Sequence, residues 1–456
     1  MKYCTDPNDF PAGSDAAAIQ AAVNEAKKLG LDTVVIPRMN RRRGQALWVI
    51  DTAVLLPDHI TLILDGCLLR MADGSFDNMF RNSLALSPAG CDPEGRQTDI
   101  IIRGINGAAL DGGLPNGLNE DTSLTGGMPH ISANLFIYLH NVERFEISGL
   151  TCRDQRWWAM AFMFSRNGHI HDIRFRLTRH LEDRVIRWRN QDGIDLRIGC
   201  SDILIENIEG ETGDDFIALT ALKGFRQDRS DYVAGADTDI HDVIIRNIRA
   251  VTSLCAIIRL LAHHGNRIYN VAISDVHDIS RFGETAQSQM CLRIGDDNPA
   301  YYDFDEALRC KPGDISGISI RNVHTRARTG INLTGCVNDL HADGLCMTDD
   351  GGAALFCGQP GISGVFIYHP TAQKEYDLIK APVPYDPGNR ERLENVLIEN
   401  VSYEAEGRHA PGILCLSYTD LHRVRVRNIT TNGAAPLEWY GPADKDRFVI
   451  EGARES

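Results

Sequence analysis

The 456-residue sequence has no run of about eighteen apolar residues, so no membrane-spanning helix is expected. Its opening, Met1-Lys-Tyr-Cys-Thr-Asp6, lacks the apolar core of a secretory signal, and a cytoplasmic setting is the expectation that follows. The twelve cysteines form no Cys-x-x-Cys pair. Several, among them Cys67, Cys200, Cys291, Cys346 and Cys415, sit in strand-like runs, which points to buried reduced thiols rather than a disulfide framework. Positive charge is in deficit: the net charge of −15 argues against general nucleic-acid binding and against docking on an anionic membrane. An acidic substrate would therefore need a local basic patch. No Pro/Ser-rich linker or low-complexity stretch divides the chain, no convincing metal-ligand spacing occurs, and nothing implies an organic cofactor.

What is present is a repeating phrase. Three alternating apolar residues, a polar pair ending in Asn or Gly, and another apolar residue recur as Phe145-Glu-Ile-Ser-Gly-Leu150, Ile203-Leu-Ile-Glu-Asn-Ile208 and Val243-Ile-Ile-Arg-Asn-Ile248. Further copies are Val271-Ala-Ile-Ser-Asp-Val276, Ile318-Ser-Ile-Arg-Asn-Val323, Val396-Leu-Ile-Glu-Asn-Val401 and Val424-Arg-Val-Arg-Asn-Ile429. The cleanest spacing is 28 residues (271 − 243 and 424 − 396). Short strands repeated without long helices between them predict an all-β fold, a parallel β-helix (solenoid) forming a single domain over residues 1–456. Asn207, Asn247, Asn322, Asn400 and Asn428 suit the tight turns, because asparagine tolerates the left-handed conformation and can hydrogen-bond along a stack. Asn332, Asn400 and Asn428 also match glycosylation sequons, a reading that the expected cytoplasmic setting disfavours.

Before the repeats, Ser14 or Asp15 caps a predicted helix over 16–29 that Gly30 ends, and Thr33-Val-Val-Ile-Pro37 reads as a first strand. Residues 14–37 are thus expected to cap the open end of the stack. Residues 111–133 and 366–392 read as loop insertions of the kind that form functional walls or lids.

Chemistry concentrates in Asn190-Gln-Asp-Gly-Ile-Asp195 and Gly213-Asp-Asp215. Twenty-two residues separate Asp192 from Asp214 (214 − 192), about one rung of such a coil, so the two motifs are expected to stack on one face. Clustered carboxylates raise one another's pKa, so one can stay protonated while its neighbours are ionised. That equips a glycosidic-bond hydrolase, and an acid and a base on adjacent rungs with room for water is the inverting arrangement. The competing readings are Asx turns or a calcium site. By strand alternation, Asn190 shares the face of Asp192 and can hydrogen-bond a sugar, while Asp195 is expected on the other face, bracing a turn.

Asn190-Gln-Asp-Gly-Ile-Asp195 followed by Gly213-Asp-Asp-Phe-Ile-Ala218 resembles the active-site signature of the polygalacturonase-like glycoside hydrolases of family 28. The opening stretch from Asp15 to Pro37, Ile63-Leu-Asp-Gly66 and Ala109-Leu-Asp-Gly-Gly113 are similar to the first rungs of the same superfamily, and the resemblance covers most of residues 10–330. It implies a right-handed parallel β-helix, Asp214 as general acid, and Asp192 and Asp215 as bases holding the attacking water. Two departures stand out. Where the family has Gly-His-Gly, the chain has Ser253-Leu-Cys-Ala-Ile-Ile-Arg259, with His263 and His264 following. Where the family's Arg-Ile-Lys grips the sugar carboxylate, Cys291-Leu-Arg-Ile-Gly-Asp296 keeps Arg293 but has Gly295 in place of the lysine.

Other cations are expected to take over contacts to substrate: Arg189, which runs with Arg187 into the first motif, Lys223 and Arg226 after the second, and Arg259 on the next rung. His263 is a further candidate for substrate contact. Trp157-Trp158 offers a stacking face for a sugar or simply packs inside, and Arg41-Arg-Arg43 reads as a solvated loop. The reading that follows is an inverting hydrolase acting from the chain end on pectin-derived or related plant oligosaccharides. A carbohydrate lyase or epimerase on the same scaffold, or a non-catalytic carbohydrate-binding, tailspike-like protein, are the alternatives.

Overall fold

The computed structural model describes residues 3–123, 127–178, 190–223, 232–253, 255–280, 288–296, 299–327, 329–349, 353–357, 392–405, 413–416, 420–432, 437–440 and 448–455. They form two compact units, Met1–Gly213 with Arg226–Thr238, and Asp214–Phe225 with Asp239–Ser456. The fold is an all-β parallel solenoid, and no helix among the described residues is long and apolar enough to cross a membrane.

In the first unit, Thr33–Pro37, Ile60–Asp65, Gln97–Ile105, Val142–Ser148, Arg166–Arg176 and Ser201–Thr212 pair successively in parallel. The register brings Val34, Leu62, Ile102, Ile147, Ile170 and Ile205 into one column, all fully buried. Strand alternation sends every second side chain inward, and the parallel register places like upon like, so an aliphatic pattern repeated along the sequence becomes a continuous core. A second ladder runs through Val54–Leu56, Phe80–Asn82, Ile137–His140, Met160–Met163 and Ile194–Arg197. Its later strands are buried on both faces. The reason is an outer apolar cluster in which Tyr138, Trp157, Trp158, Ala161 and Met163 pack against Leu118 and Ile131. Leu118 and Ile131, which fall in the segment expected as an insertion, cover part of the outer face of these rungs.

The helix Asp15–Lys28 begins one residue earlier than its sequence pattern predicts. Ser14 is its cap, the hydroxyl accepting the Ala17 N–H at 3.2 Å. It ends with Gly30 at φ +68° and the Leu31 N–H donating to the Ala26 carbonyl at 2.8 Å, the glycine-terminated closure expected there. Its buried stripe, Ile19, Ala22, Val23 and Ala26, packs on the first strands. Arg42 and Arg43 are not simply solvated: both ion-pair with Asp15, which is 1% exposed and lies in the helix's first turn.

In the second unit, Ile240–Thr252, Ile268–Asp278, Ile315–Thr325, Cys336–Asp349, Arg392–Ala405, Asp420–Asn432 and Phe448–Glu451 form one parallel ladder. Val243 faces Val271 and Val396 faces Val424, as the 28-residue spacing predicts. Asn207 in the first unit and Asn247, Asn322, Asn400 and Asn428 in the second all adopt positive φ, from 54° to 59°. The side-chain ladder is also present: Asn207 donates to Asp172 at 3.2 Å, Asn322 to Asp275 at 2.6 Å, Asn400 to Asp343 at 2.7 Å and Asn428 to Asn400 at 3.2 Å. Of the ten described free cysteines, Cys67, Cys152, Cys200, Cys255, Cys291, Cys310 and Cys336 are buried, and burial pushes the Cys67 and Cys200 thiols up to about 12. The expected insertion 366–392 lies outside the described residues except for its last position.

The column dictates an unequal response to truncation. Ile170→Ala, inside the stack, is expected to cost about 2–5 kcal/mol, whereas Ile244→Ala, on a strand but 47% exposed, stays within about 0.5 kcal/mol of the parent. Thermal or urea unfolding of the two variants checks the difference.

Candidate active site

In the second unit, Ile217–Ala221, Ala256–Ala262, Met290–Ile294 and Thr329–Leu333 run parallel and in register. Ile217, Ile258, Leu292 and Ile331 make an interior row, all fully buried. The next residue of each strand turns to the opposite face, where Ala218, Arg259, Arg293 and Asn332 form a second row. Two guanidiniums thus come to adjacent rungs, about 4.8 Å apart in backbone spacing.

Gly213-Asp214-Asp215 leads into the first of these strands. Asp215 is 1% exposed; its Oδ1 accepts the Ala256 N–H at 3.0 Å and its Oδ2 accepts from Arg259 at 3.0 Å. Asp214 is only partly buried, and its carbonyl accepts the Thr252 hydroxyl at 2.5 Å, which fixes the turn. Arg259 also donates to Asp296 at 2.5 Å, and Arg293 approaches the other oxygen of Asp296 at 2.8 Å. Asp215, Arg259, Asp296 and Arg293 are therefore one continuous chain of ion pairs. The Tyr301 ring covers Arg259 at 4.9 Å. Burial opposes the Arg259 charge, but Tyr301, Asp215 and Asp296 outweigh it and hold the guanidinium pKa above its ordinary value. Burial also pushes the Tyr301 phenol up to about 12.

Asp214, Asp215 and Cys255 present oxygen and sulfur atoms within 4.8 Å of one another. They make a poor metal set. Burial, reinforced by Asp215 and Asp214, drives the Cys255 thiol well above its ordinary pKa, and the Asp215 oxygens are already engaged.

His263 is not placed to touch a sugar. It is fully buried, its Nδ1 accepts the Cys310 N–H at 2.9 Å, and its Nε2 therefore carries the proton donated to the Asp296 carbonyl at 2.7 Å. It acts on the ion-pair chain only by holding the Asp296 backbone. Lys223 is exposed at the opposite end of the Ile217–Ala221 strand from Asp215, its N–H donating to His264 Nδ1 at 3.3 Å. Arg187, Arg189 and Arg226 lie outside the described residues.

Asp192 belongs to the first unit, where it is 3% exposed. Its backbone is clamped: its carbonyl accepts the Ala159 N–H at 2.9 Å and the Gln155 side chain at 3.2 Å, while Gln191 donates back to the Gln155 carbonyl at 2.6 Å. Asn190 stands in a turn at φ +62°, and the strand begins only at Ile194. Strand alternation consequently does not relate Asn190 to Asp192, contrary to expectation. Asp195 lies within the strand, in register with Ala161, fully buried and 3.9 Å from Arg197. Trp157 and Trp158 stack on each other at 3.8 Å, and Arg197 lies 4.5 Å over the Trp158 ring, so this pair is core and not a sugar platform.

Sequence reasoning missed Asp296, the hub of the arginines, although an acid three residues after Arg293 beside a glycine was a visible signal. Tyr301 carried no signal, because it arrives from a short turn, Pro299–Tyr302, outside the repeat.

Burial is the main cause that pushes the His263 pKa from 6.5 down to about 4. The unfolded chain takes up a proton that the folded chain refuses in that window, so stability is full above pH 6.5 and declines as the pH falls toward 4. The loss attributable to His263 is on the order of 2–3 kcal/mol. Melting curves across this range should show a shallower decline for His263→Gln, which cannot gain a charge; an unchanged slope would assign the titration to another group.

Residues 96–235 match the family model of the glycosyl hydrolases family 28. No curated protein sequence matches the chain. Among solved structures, the family 28 exopolygalacturonase of Yersinia enterocolitica is 13% identical with a TM-score of 0.54, covering 99% of this chain and 78% of that one. An Escherichia coli bacteriophage tailspike protein in complex with a pentasaccharide is 12% identical, with a TM-score of 0.52 and the same coverages. A Streptococcus pneumoniae surface protein and adhesin is 12% identical, with a TM-score of 0.50 and coverages of 99% and 97%. At these identities the structural likenesses establish the fold alone. Over residues 96–235 the chain is similar to the glycosyl hydrolases of family 28, and its fold is that of the right-handed parallel β-helix proteins.

Proposed function

We propose that the protein is a glycoside hydrolase that cleaves an oligosaccharide with inversion at the anomeric carbon, acting from the chain end on pectin-derived or related plant oligosaccharides. The observation that carries this reading is the asymmetry of the adjacent carboxylates. Asp215 is buried and committed to Arg259 and the Ala256 N–H, while Asp214 remains partly exposed. Neighbouring carboxylates in unlike environments divide acid and base work between them. The match of residues 96–235 to a glycoside hydrolase family supports the same reading.

In this mechanism Asp214 gives its proton to the glycosidic oxygen as the bond from the anomeric carbon to that oxygen breaks. Water attacks the same carbon from the opposite face and loses a proton to a carboxylate base. Asp215, beside Asp214 in the same unit, is assigned as that base, oriented by Arg259 and the Ala256 N–H. The same ion pair fixes Arg259 against the turn that presents Asp214. Arg293 and Arg259 border the sugar.

Asp214→Asn is expected to lower turnover by about 10²–10⁴-fold. Proton NMR of early products from pectic and neutral plant oligosaccharides checks both the loss and the anomeric configuration. Turnover that persists in the variant sinks the assignment of the acid, and an unsaturated product moves the reaction to a lyase. Sugar binding without turnover, unchanged in the variant, would favour a carbohydrate-binding protein.

A further inference from the structure

We propose that Cys310 and Cys336 close to an intramolecular disulfide under oxidising conditions, a covalent modification site that stands apart from the hydrolase reading above. Three observations carry it. The first is proximity. The Cys310 Sγ lies 3.8 Å from the Cys336 carbonyl oxygen, and the Cys336 Sγ lies 3.5 Å from the Cys310 carbonyl oxygen. Contacts that run both ways bring the two side chains face to face. Hydrogen bonding with the Cys336 side chain is the largest cause that pushes the Cys310 thiol well above its ordinary pKa, followed by burial. A disulfide needs such facing side chains, on backbones that already run close together.

The second is that local structure holds both backbones in place. Cys336 opens the strand Cys336–Asp349 and pairs with Arg392 on the following strand. Cys310 precedes a turn in which the Asp314 N–H donates to the Lys311 carbonyl at 3.0 Å and the Lys311 N–H donates to the Asp314 carboxylate at 2.7 Å. The Gly313 N–H donates to the Asn338 side chain at 2.8 Å, which ties that turn to the strand carrying Cys336. Cys310 itself is fixed by its N–H, which donates to His263 Nδ1 at 2.9 Å. The fold therefore presents the two thiols to each other, and groups held in reach react far faster than groups that must meet by diffusion.

The third is what the bond secures. Between the strands Met290–Ile294 and Ile315–Thr325 the chain carries Tyr301, whose ring covers Arg259 at 4.9 Å, and Tyr302, whose ring lies 5.1 Å from that of His263. A Cys310–Cys336 bond ties the end of this segment to the next rung across 26 residues of sequence, and it restricts the unfolded chain. The chemistry balances with a low-molecular-weight disulfide as the oxidant. One protein thiolate attacks it, breaking its S–S bond and releasing one small thiol; the second protein thiolate attacks the mixed disulfide and releases the other. Two protein thiols are oxidised, one small disulfide is reduced to two thiols, and the two protons pass to them. Cys310 is 6% exposed and Cys336 2%, and the Cys310 thiol is held protonated in the closed fold, so the exchange proceeds as the turn opens locally.

The test holds the intact protein in a buffer of reduced and oxidised glutathione, with urea just below the unfolding transition so that turns open reversibly. Free thiols are then alkylated and the peptides mapped by mass spectrometry. Cys310 joined to Cys336 is the expected main linkage, and after removal of urea the oxidised protein is expected to melt roughly 3–8 °C above the reduced form. That gain should vanish in Cys310→Ser and in Cys336→Ser, and neither variant should acquire another linkage in its place. Melting curves of the reduced variants establish that they are folded, and if one fails to fold the other carries the comparison. Recovery of both residues as alkylated thiols, as mixed disulfides with glutathione, or joined to other cysteines overturns the inference, and so does an oxidised protein that melts no higher than the reduced one.

Discussion

Everything in this protein hangs on the parallel register that stacks one short strand upon the next. Because partners lie directly above one another, each strand position becomes a column, and a column admits only one kind of environment. Interior columns such as Val34, Leu62, Ile102, Ile147, Ile170 and Ile205 must be apolar throughout, or a polar group would be stranded in the core. Outward columns are free of that demand, and the row of Ala218, Arg259, Arg293 and Asn332 brings two arginines to adjacent rungs. The turn positions carry a third requirement, a backbone in the left-handed region, met by asparagine, aspartate and glycine.

The same register forces charges together, and their burial then has to be compensated. Arg259 and Arg293 are brought to adjacent rungs, where two unpaired guanidiniums would repel and lose hydration. Asp296 lies between them and Asp215 takes the far side of Arg259, so that donors and acceptors alternate along the chain. His263 completes it from behind, its tautomer fixed by the Cys310 N–H on one nitrogen and the Asp296 carbonyl on the other. In the first unit a comparable economy operates by packing: Arg197 lies over Trp158, and the insertion that carries Leu118 and Ile131 shields the outer face of the rungs. A rigid, satisfied scaffold of this kind leaves Asp214 as the less buried member of the Asp214–Asp215 pair.

By itself the sequence determined the solenoid, its parallel strands, the capping helix and the asparagine turns, because these are local properties repeated along the chain. Period-two apolar alternation specifies a strand face, an Asn at a fixed offset specifies a turn, and Ser14 with Gly30 specifies the limits of a helix. It also put the acidic motifs forward as the candidates for chemistry. Only the tertiary structure decided which polar residues partner which. Alternation could not place Asn190 and Asp195, because residues 190–193 precede the strand and follow no period. His263 looked like a ligand-facing histidine until its two nitrogens were found engaged by Cys310 and Asp296, contacts made across 47 and 33 residues of sequence. Asp296 gained its role because Arg259, from the preceding rung, reaches it, and Trp157-Trp158 lost theirs because a distant loop covers them. Pairings of that range depend on how rungs and insertions stack in space, which local pattern does not encode.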